Sequence, residues 1–330
     1  MVHILVVGAG SIGTRHIKNL QALGADVTVV DNDRDRLAGV QGKYRDVFLS
    51  LDDALAHGPY DGAVVAAPTH LHIPVVVTLI TAGINPFVEK PLGTIHDTGK
   101  ILRLNPLMNH AWIMVGYSMR YSKPIETIYR LLSEYRIGDM LHISASVGQY
   151  LPDWHPVEDY RLSYMVDHNK GGGALLDLSH EIDYVQMLCG RISSVSASIG
   201  RVDTLPMDAD NLTDLLVMFE NEISGYIHMD VLSRDYHRTC RIIGDKGTIS
   251  WDYSSGVVRL YDAAKHAWET FDVQEGWNAQ YLSEMQDYLT CLEKNIAPEC
   301  GYRQALETMN VIWAAVDSER LGEWIKVRYA

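Results

Sequence analysis

Four cysteines in 330 residues, Cys189, Cys240, Cys291 and Cys300, show no C-x-x-C spacing and no closely set pairs. Their scarcity excludes a disulfide scaffold and a thiolate zinc site, and points to reduced thiols in a cytoplasmic protein. An excess of cations is missing too: 28 Lys and Arg stand against 42 Asp and Glu, a net charge of −14. That balance argues against a nucleic-acid partner or an anionic membrane surface, while leaving room for a local arginine pocket facing an anionic substrate. No apolar run reaches the ~18 residues of a membrane span. The first apolar strand starts at Val2, which in this reading leaves no space for a signal peptide. Low-complexity segments and internal repeats are absent. What is present is a chain with 47% apolar residues and a length that suits two domains.

The first thirty residues carry the clearest pattern. An apolar run, Val2 to Val7, leads into Gly8-Ala9-Gly10-Ser11-Ile12-Gly13, then a helical pattern, then a second apolar run that ends in Asp31. Each part suits a dinucleotide. Gly8 permits the sharp turn, Gly10 lets the backbone approach a pyrophosphate, and Gly13 allows close helix–strand packing. The free N–H groups at the helix start, at Ser11 and Ile12, face the phosphates. Asp31 lies near the expected distance of about 20 residues to accept both ribose hydroxyls. Its charge repels a 2′-phosphate, which favours NAD over NADP even though Arg34 and Arg36 follow closely. A glycine-rich turn alone is weak evidence; the strand before it, the helix after it and the acid beyond it carry the reading.

Strands and helices then alternate to about residue 120, as in a parallel doubly wound sheet whose ligands gather at the strand carboxyl ends. Pro68-Thr69-His70-Leu71-His72, Glu89-Lys90-Pro91 and Gly116-Tyr117 occupy such ends. Beyond residue 120 the pattern changes. A helix at 123–135 precedes a long strand at 140–149, an irregular aromatic stretch at 150–169, and a single helix at 174–189 opened by Gly171-Gly172-Gly173. Strands follow at 195–202, 212–219, 224–231, 239–243, 248–252 and 257–261, and helices at 278–294 and 302–320. Successive strands without helices between them imply an open, mostly antiparallel sheet. The expected architecture is α/β: an N-terminal Rossmann domain at 1–120 and a C-terminal α+β domain at 121–330, whose last helix can pack back on the first domain. The second sheet is expected to carry helices on one face and a broad apolar face on the other. That face would be covered in a homodimer or homotetramer.

Two groups can carry chemistry. The Lys90 ammonium, beside Pro91, can donate to a substrate oxygen and stabilise developing charge. Asp177, His180 and Glu181, three and four apart, share one helix face. An imidazole there suits proton transfer, with Asp177 orienting it or touching substrate. No H-E-x-x-H pattern or cysteine partner supports a metal at this pair.

Six motifs occur in order: Gly8-x-Gly10-x-x-Gly13, Pro68-Thr69-x-x-His72, Glu89-Lys90-Pro91, Gly116-Tyr117-x-x-Arg120-Tyr121, the Gly171-Gly172-Gly173 helix with His180-x-x-Asp183, and Gly244-x-Lys246-Gly247. Together they resemble the Gfo/Idh/MocA family of glucose-fructose oxidoreductase, inositol dehydrogenase and related sugar dehydrogenases. The resemblance implies a Rossmann domain and a substrate domain, with hydride exchange between a nicotinamide and a sugar or polyol carbon. It makes Lys90 the catalytic lysine, His180 the proton carrier and Asp177 the acid one turn before it. It also places Pro68, Thr69, His72 and Glu89 with the cofactor. One departure stands out. The family sets acid and histidine four apart, and here Glu181 holds the four-apart position, so His180 and Glu181 are both candidates to face the nicotinamide.

The stretch from Asp153 to Tyr164 is the most individual. It resembles surface-sugar enzymes near nonulosonic acid pathways. Trp154 and Tyr160 offer flat faces for a sugar ring, and His155 and Arg161 offer donors. Arg120 either lines the pocket or braces the domain joint. The expected function is an NAD(P)-dependent oxidoreductase acting on a sugar, polyol or nucleotide-linked sugar. The alternatives are a non-catalytic NAD-dependent sensor or scaffold, and imine reduction or NAD-recycling glycoside cleavage on the same fold.

Overall fold

Thirty residues suffice to start the first sheet, because the apolar strand β1 (His3–Val7) has nowhere to go but between two parallel neighbours. In this computed structural model, which describes residues 1–40, 44–154 and 159–329, the chain divides into two units. The first comprises Met1–Ser118 and Asn278–Leu306, the second Met119–Trp277 and Glu307–Ala330.

In the first unit β1 is followed by α1 (Ser11–Ala22), β2 (Asp26–Val30), α2 (Arg34–Gly39), β3 (Val47–Phe48), α3 (Leu51–Ala56), β4 (Gly62–Val65), α4 (His72–Thr81), β5 (Pro86–Glu89), α5 (Thr98–Leu102) and β6 (Met114–Gly116). The strands form one parallel sheet in the order β3-β2-β1-β4-β5-β6, the doubly wound arrangement expected from the alternation. Ile4, Leu5, Val6, Val64, Val65, Phe87 and Val88 are fully buried in it.

The second unit holds α6 (Lys123–Ser133), β7 (Met140–Gly148), α7 (Ala174–Asp177), α8 (His180–Cys189), β8 (Ile192–Gly200), β9 (Leu212–Phe219), β10 (Ser224–Asp230), β11 (His237–Gly244), β12 (Gly247–Asp252), β13 (Val257–Asp262) and β14 (Ala267–Asp272). Then come α9 (Ala279–Lys294), α10 (Tyr302–Leu321) and β15 (Ile325–Lys326). A single cut near residue 120 is crossed by α9, which clusters with the first unit. Tyr288 ties it there: its hydroxyl accepts from the Ala63 N–H at 2.8 Å and lies 2.8 Å from the Asn85 carbonyl, to which it can donate. Gly62 is glycine for the same reason, since a Cβ would sit 2.5 Å from that hydroxyl oxygen.

The second sheet runs β14-β13-β12-β11-β7-β10-β9-β8-β15. Every pairing is antiparallel except β7 with β10. Strands β14 and β15 were not anticipated: β14 is almost wholly exposed and β15 has two residues, so neither has an apolar alternation to read. One face is apolar, with Ile143, Ala145, Val147, Leu215, Val217, Ile227 and Ile242 buried. The opposite face is not the broad apolar surface expected. Ser144, Ser146, Asp214, Tyr226, His228, Asp230 and His237 alternate onto it, and Leu216 stands out there at 51% exposure. The positions that alternate with the buried apolar set are polar, which is why this face differs from the expectation.

Candidate active site

The glycine turn follows from steric need. Gly8 has φ +105°, and a Cβ on it would lie 2.5 Å from the Ala66 carbonyl oxygen. A Cβ on Gly13 would lie 2.0 Å from the Gly8 carbonyl oxygen, so only glycine lets α1 close on the turn. Gly10 differs: no protein atom lies within 4 Å of its missing Cβ. Its glycine therefore answers no internal contact and keeps the space above the turn clear, as a pyrophosphate requires. Ser11 and Ile12 open α1, where N–H groups lack helical partners.

Asp31 sits at the carboxyl end of β2, nearly buried. Its Oδ2 accepts from the Ala9 N–H at 2.7 Å and its Oδ1 from the Asp33 N–H at 2.9 Å. The carboxylate thus braces the glycine turn while each oxygen retains a lone pair for a ribose hydroxyl. This bracing role was not visible in the sequence. The turn, the helix start and the acid fit an adenine dinucleotide.

At the β4 and β5 ends, Pro68 precedes a short turn that buries Thr69. His72 is buried, with Nδ1 2.8 Å from the Pro91 carbonyl and Nε2 2.8 Å from the Ala67 carbonyl. Burial holds its pKa below the ordinary value, against the pull of those two carbonyls. Both ring nitrogens face backbone carbonyls, so His72 ties the Lys90–Pro91 turn to the end of β4. Glu89 is likewise internal. Its Oε1 lies 2.6 Å from His16 Nε2 on α1, and its Oε2 accepts from the Lys90 N–H at 3.2 Å. The carboxylate ties the glycine helix to the backbone that carries Lys90, whose side chain is partly exposed. Neither His16 nor its tie to Glu89 was singled out from sequence; three residues beyond Gly13, one turn along the same helix face, is the only signal.

In the second unit, the expected single helix at 174–189 is broken at Leu178-Ser179 into α7 and α8. The opening glycines explain how it starts. A Cβ on Gly172 would strike the Met165 carbonyl oxygen at 2.3 Å, and Gly173 has φ +115° with Asp210 Oδ1 at 2.1 Å from its would-be Cβ. Asp210 accepts from the Leu175 N–H at 2.8 Å and from the Thr213 hydroxyl at 3.1 Å. Burial raises its pKa, opposed by those donors. The break removes the premise of a shared α-helical face: the spacing of Asp177 and His180 is read across a tightened turn, where Glu181 N bonds to the Leu178 carbonyl.

Around this break the acids separate. Asp177, nearly buried, accepts from the Tyr164 hydroxyl at 3.0 Å. Glu181 has no exposed surface and pairs with Arg238, Nε to Oε1 2.7 Å and a second N–H to Oε2 at 3.3 Å. Burial by itself lowers the Arg238 pKa, and the Glu181 charge more than reverses this. Asp183 is buried against Arg120 in a two-pronged contact of 2.8 and 2.7 Å. Burial lifts the Asp183 pKa and Arg120 pulls it down. Glu181 is therefore paired in the interior, and His180 stands at the start of α8. Arg120 braces α8 through Asp183.

The aromatic stretch is only partly described, and His155 lies outside the described residues. Trp154 is half-buried and donates its indole N–H to the Gln149 carbonyl at 3.2 Å. Tyr160 is half-buried, and Arg161 is exposed with both prongs on Asp159, 2.8 and 2.7 Å. In this arrangement the Arg161 fork rests on its neighbour Asp159. Among the described residues no helix is long and apolar enough to cross a membrane.

Comparison with known proteins agrees with both units. Residues 2–117 match a family model described as an oxidoreductase family with an NAD-binding Rossmann fold, and residues 125–250 match the GFO/IDH/MocA C-terminal domain. The chain is 30% identical over 342 residues to an inositol 2-dehydrogenase of Arthrobacter sp. (strain FB24), covering 99% of this chain and 96% of the relative. It is 24% identical over 303 residues to an inositol 2-dehydrogenase of Corynebacterium glutamicum (strain R), covering 88% and 85%. A solved levoglucosan dehydrogenase in complex with NADH shares the fold with a TM-score of 0.90 at 17% identity, over the whole of both chains.

Proposed function

The chain belongs to the GFO/IDH/MocA family and is an NAD-dependent oxidoreductase, and from that premise we propose that it oxidises or forms a hydroxyl-bearing carbon of a sugar, polyol or nucleotide-linked sugar. The relatives named above act, by their names, on inositol and levoglucosan, which supports a sugar or polyol substrate. NAD, when bound, supplies the hydride acceptor. Lys90 donates a hydrogen bond to the reacting oxygen and stabilises charge developing there. His180 takes the hydroxyl proton, and Asp177, held by Tyr164, orients the imidazole or the substrate. The observation that carries this reading is the burial of Glu181 against Arg238, which takes the competing carboxylate out of the chemistry.

The test is reduction of NAD, followed by its near-ultraviolet absorbance, across a panel of inositols, anhydrosugars and nucleotide sugars. Lys90→Met should lower kcat by about 10²- to 10³-fold or more while NADH affinity stays near that of the parent. His180→Asn should cost about 10²- to 10⁴-fold in kcat and remove one limb of the pH–rate profile. NADH binding with no turnover over the whole panel would instead indicate a sensor. Undiminished turnover of Lys90→Met would refute the lysine's role.

A further inference from the structure

The polar face of the second sheet carries a cluster that the oxidoreductase chemistry does not use. His228 and Asp230 are two apart on β10, so both project to that face, and His237 begins β11. One donor atom from each lies within 4.8 Å of the others. We propose that His228, Asp230 and His237 form a site for a divalent transition metal of the zinc class, which clips β10 to β11 across β7.

Strand register builds the site. Asp230 pairs with Gly148 of β7, and Gly148 pairs with His237, so the three stand in one row across three strands. The middle position has no side chain. A Cβ there would lie 2.3 Å from Asp230 Oδ2, 2.4 Å from His237 Cε1 and 2.6 Å from Ser233 Oγ. Gly148 closes β7 between two paired neighbours, and its missing side chain opens a cradle into which these groups converge.

The donors are already aimed. Asp214 on β9 holds His228 Nδ1 at 2.7 Å, and Tyr226 donates to the same carboxylate oxygen. The remaining nitrogen, Nε2, points at Asp230 Oδ2, 3.1 Å away. A carboxylate fixing the far nitrogen of a ligating histidine is the usual support of a metal-bound imidazole. Asp230 is fixed as firmly: its Oδ1 accepts from the Leu232 and Ser233 N–H groups at 2.7 and 2.6 Å, which turns Oδ2 toward the cradle. Ser146 Oγ lies 3.0 Å from His237 Nε2 and can orient that ring through one nitrogen while the other binds.

The spacing suits the metal. Bonds of about 2.0–2.2 Å in tetrahedral geometry put ligand atoms roughly 3.3 Å apart. The His228–Asp230 separation of 3.1 Å is already near that value, and the His237 donor lies within 4.8 Å of both. Two imidazoles and one carboxylate favour zinc, nickel or copper over magnesium or calcium, which take oxygen donors.

The experiment is titration of the full-length protein, stripped with a chelator, with Co²⁺ and then Zn²⁺. One equivalent of Co²⁺ per chain should give visible bands of tetrahedral intensity, and Zn²⁺ should abolish them. His237→Gln should lose the bands and the saturable uptake, and Asp214→Asn should weaken uptake about 10- to 100-fold through His228. NADH affinity, read in the same samples, should be unchanged and reports that the variants are folded. No saturable uptake by the parent protein overturns the proposal without any variant. Uptake by folded His237→Gln equal to that of the parent overturns it as well.

Discussion

Two regions of this chain solve the same problem by different means. The segment from Gly8 to Asp31 and the segment from Gly171 to Asp183 each use glycines to bring a helix start against other backbone. In the first, the segment closes largely on itself, Gly13 on Gly8 and Asp31 on Ala9, with Ala66 and Glu89 as its distant partners. In the second, the partners come from far along the chain: Asp210 supports α7, Arg238 neutralises Glu181 and Arg120 neutralises Asp183. The first is a backbone constraint with little charge in the interior. The second buries two ion pairs beside its titratable histidine. Local geometry sets the turn, whereas long-range electrostatics sets the break.

The largest effect should come from cutting one of those ion pairs. Arg238→Met leaves the fully buried Glu181 without its countercharge, and should cost about 3–5 kcal/mol in urea-induced unfolding. The double variant Glu181→Leu/Arg238→Met removes both charges and should recover most of that loss. A small cost for the single variant would break the contrast, because the second region would then not depend on distant charge.

This difference also decides what could be read from sequence. The doubly wound order, the glycine turn and Asp31 were legible because strand periodicity and φ requirements act over a few residues. Lys90 was legible as a strand-end residue. The break at Leu178-Ser179 was not, because residues 174–189 are apolar enough to continue one helix, and nothing local marks Arg238 as the partner that takes Glu181 inward. The internal partners of His72 and Arg120, the carbonyls of Ala67 and Pro91 and the carboxylate of Asp183, were not legible, because they come from other elements of the fold. The polar face of the second sheet was misread for a related reason: alternation gives which residues share a face, but the identity of the outer set has to be read position by position.

The next effects sharpen the comparison within the first region. Gly13→Ala forces a methyl group against the Gly8 carbonyl, and should cost about 1–3 kcal/mol of stability together with NADH affinity. Gly10→Ala meets no protein atom, so its unfolding should match the parent while NADH affinity falls. Equal behaviour of the two in both measurements would mean that Gly10 answers to the fold and not to a ligand. Asp31→Asn keeps an acceptor for the Ala9 N–H but removes the charge. It should lose about 1 kcal/mol of preference for NADH over NADPH, read from the ratio of dissociation constants, since the repulsion of a 2′-phosphate is gone.

The smallest effect belongs to Arg161, and it tests whether a charge pair outside either region matters at all. Its two prongs rest on Asp159, two residues away, and 68% of the side chain is exposed. An exposed pair of near neighbours gains little over the same groups in water, because solvent screens both charges and the long side chain loses freedom on pairing. Arg161→Ala should therefore leave the melting temperature and the KM for a neutral sugar unchanged within error. The same weakness lets the fork leave Asp159 when a better anion arrives. A KM that rises only for carboxylate- or phosphate-bearing substrates would show that exchange, and would place this surface arginine among the residues that select the substrate.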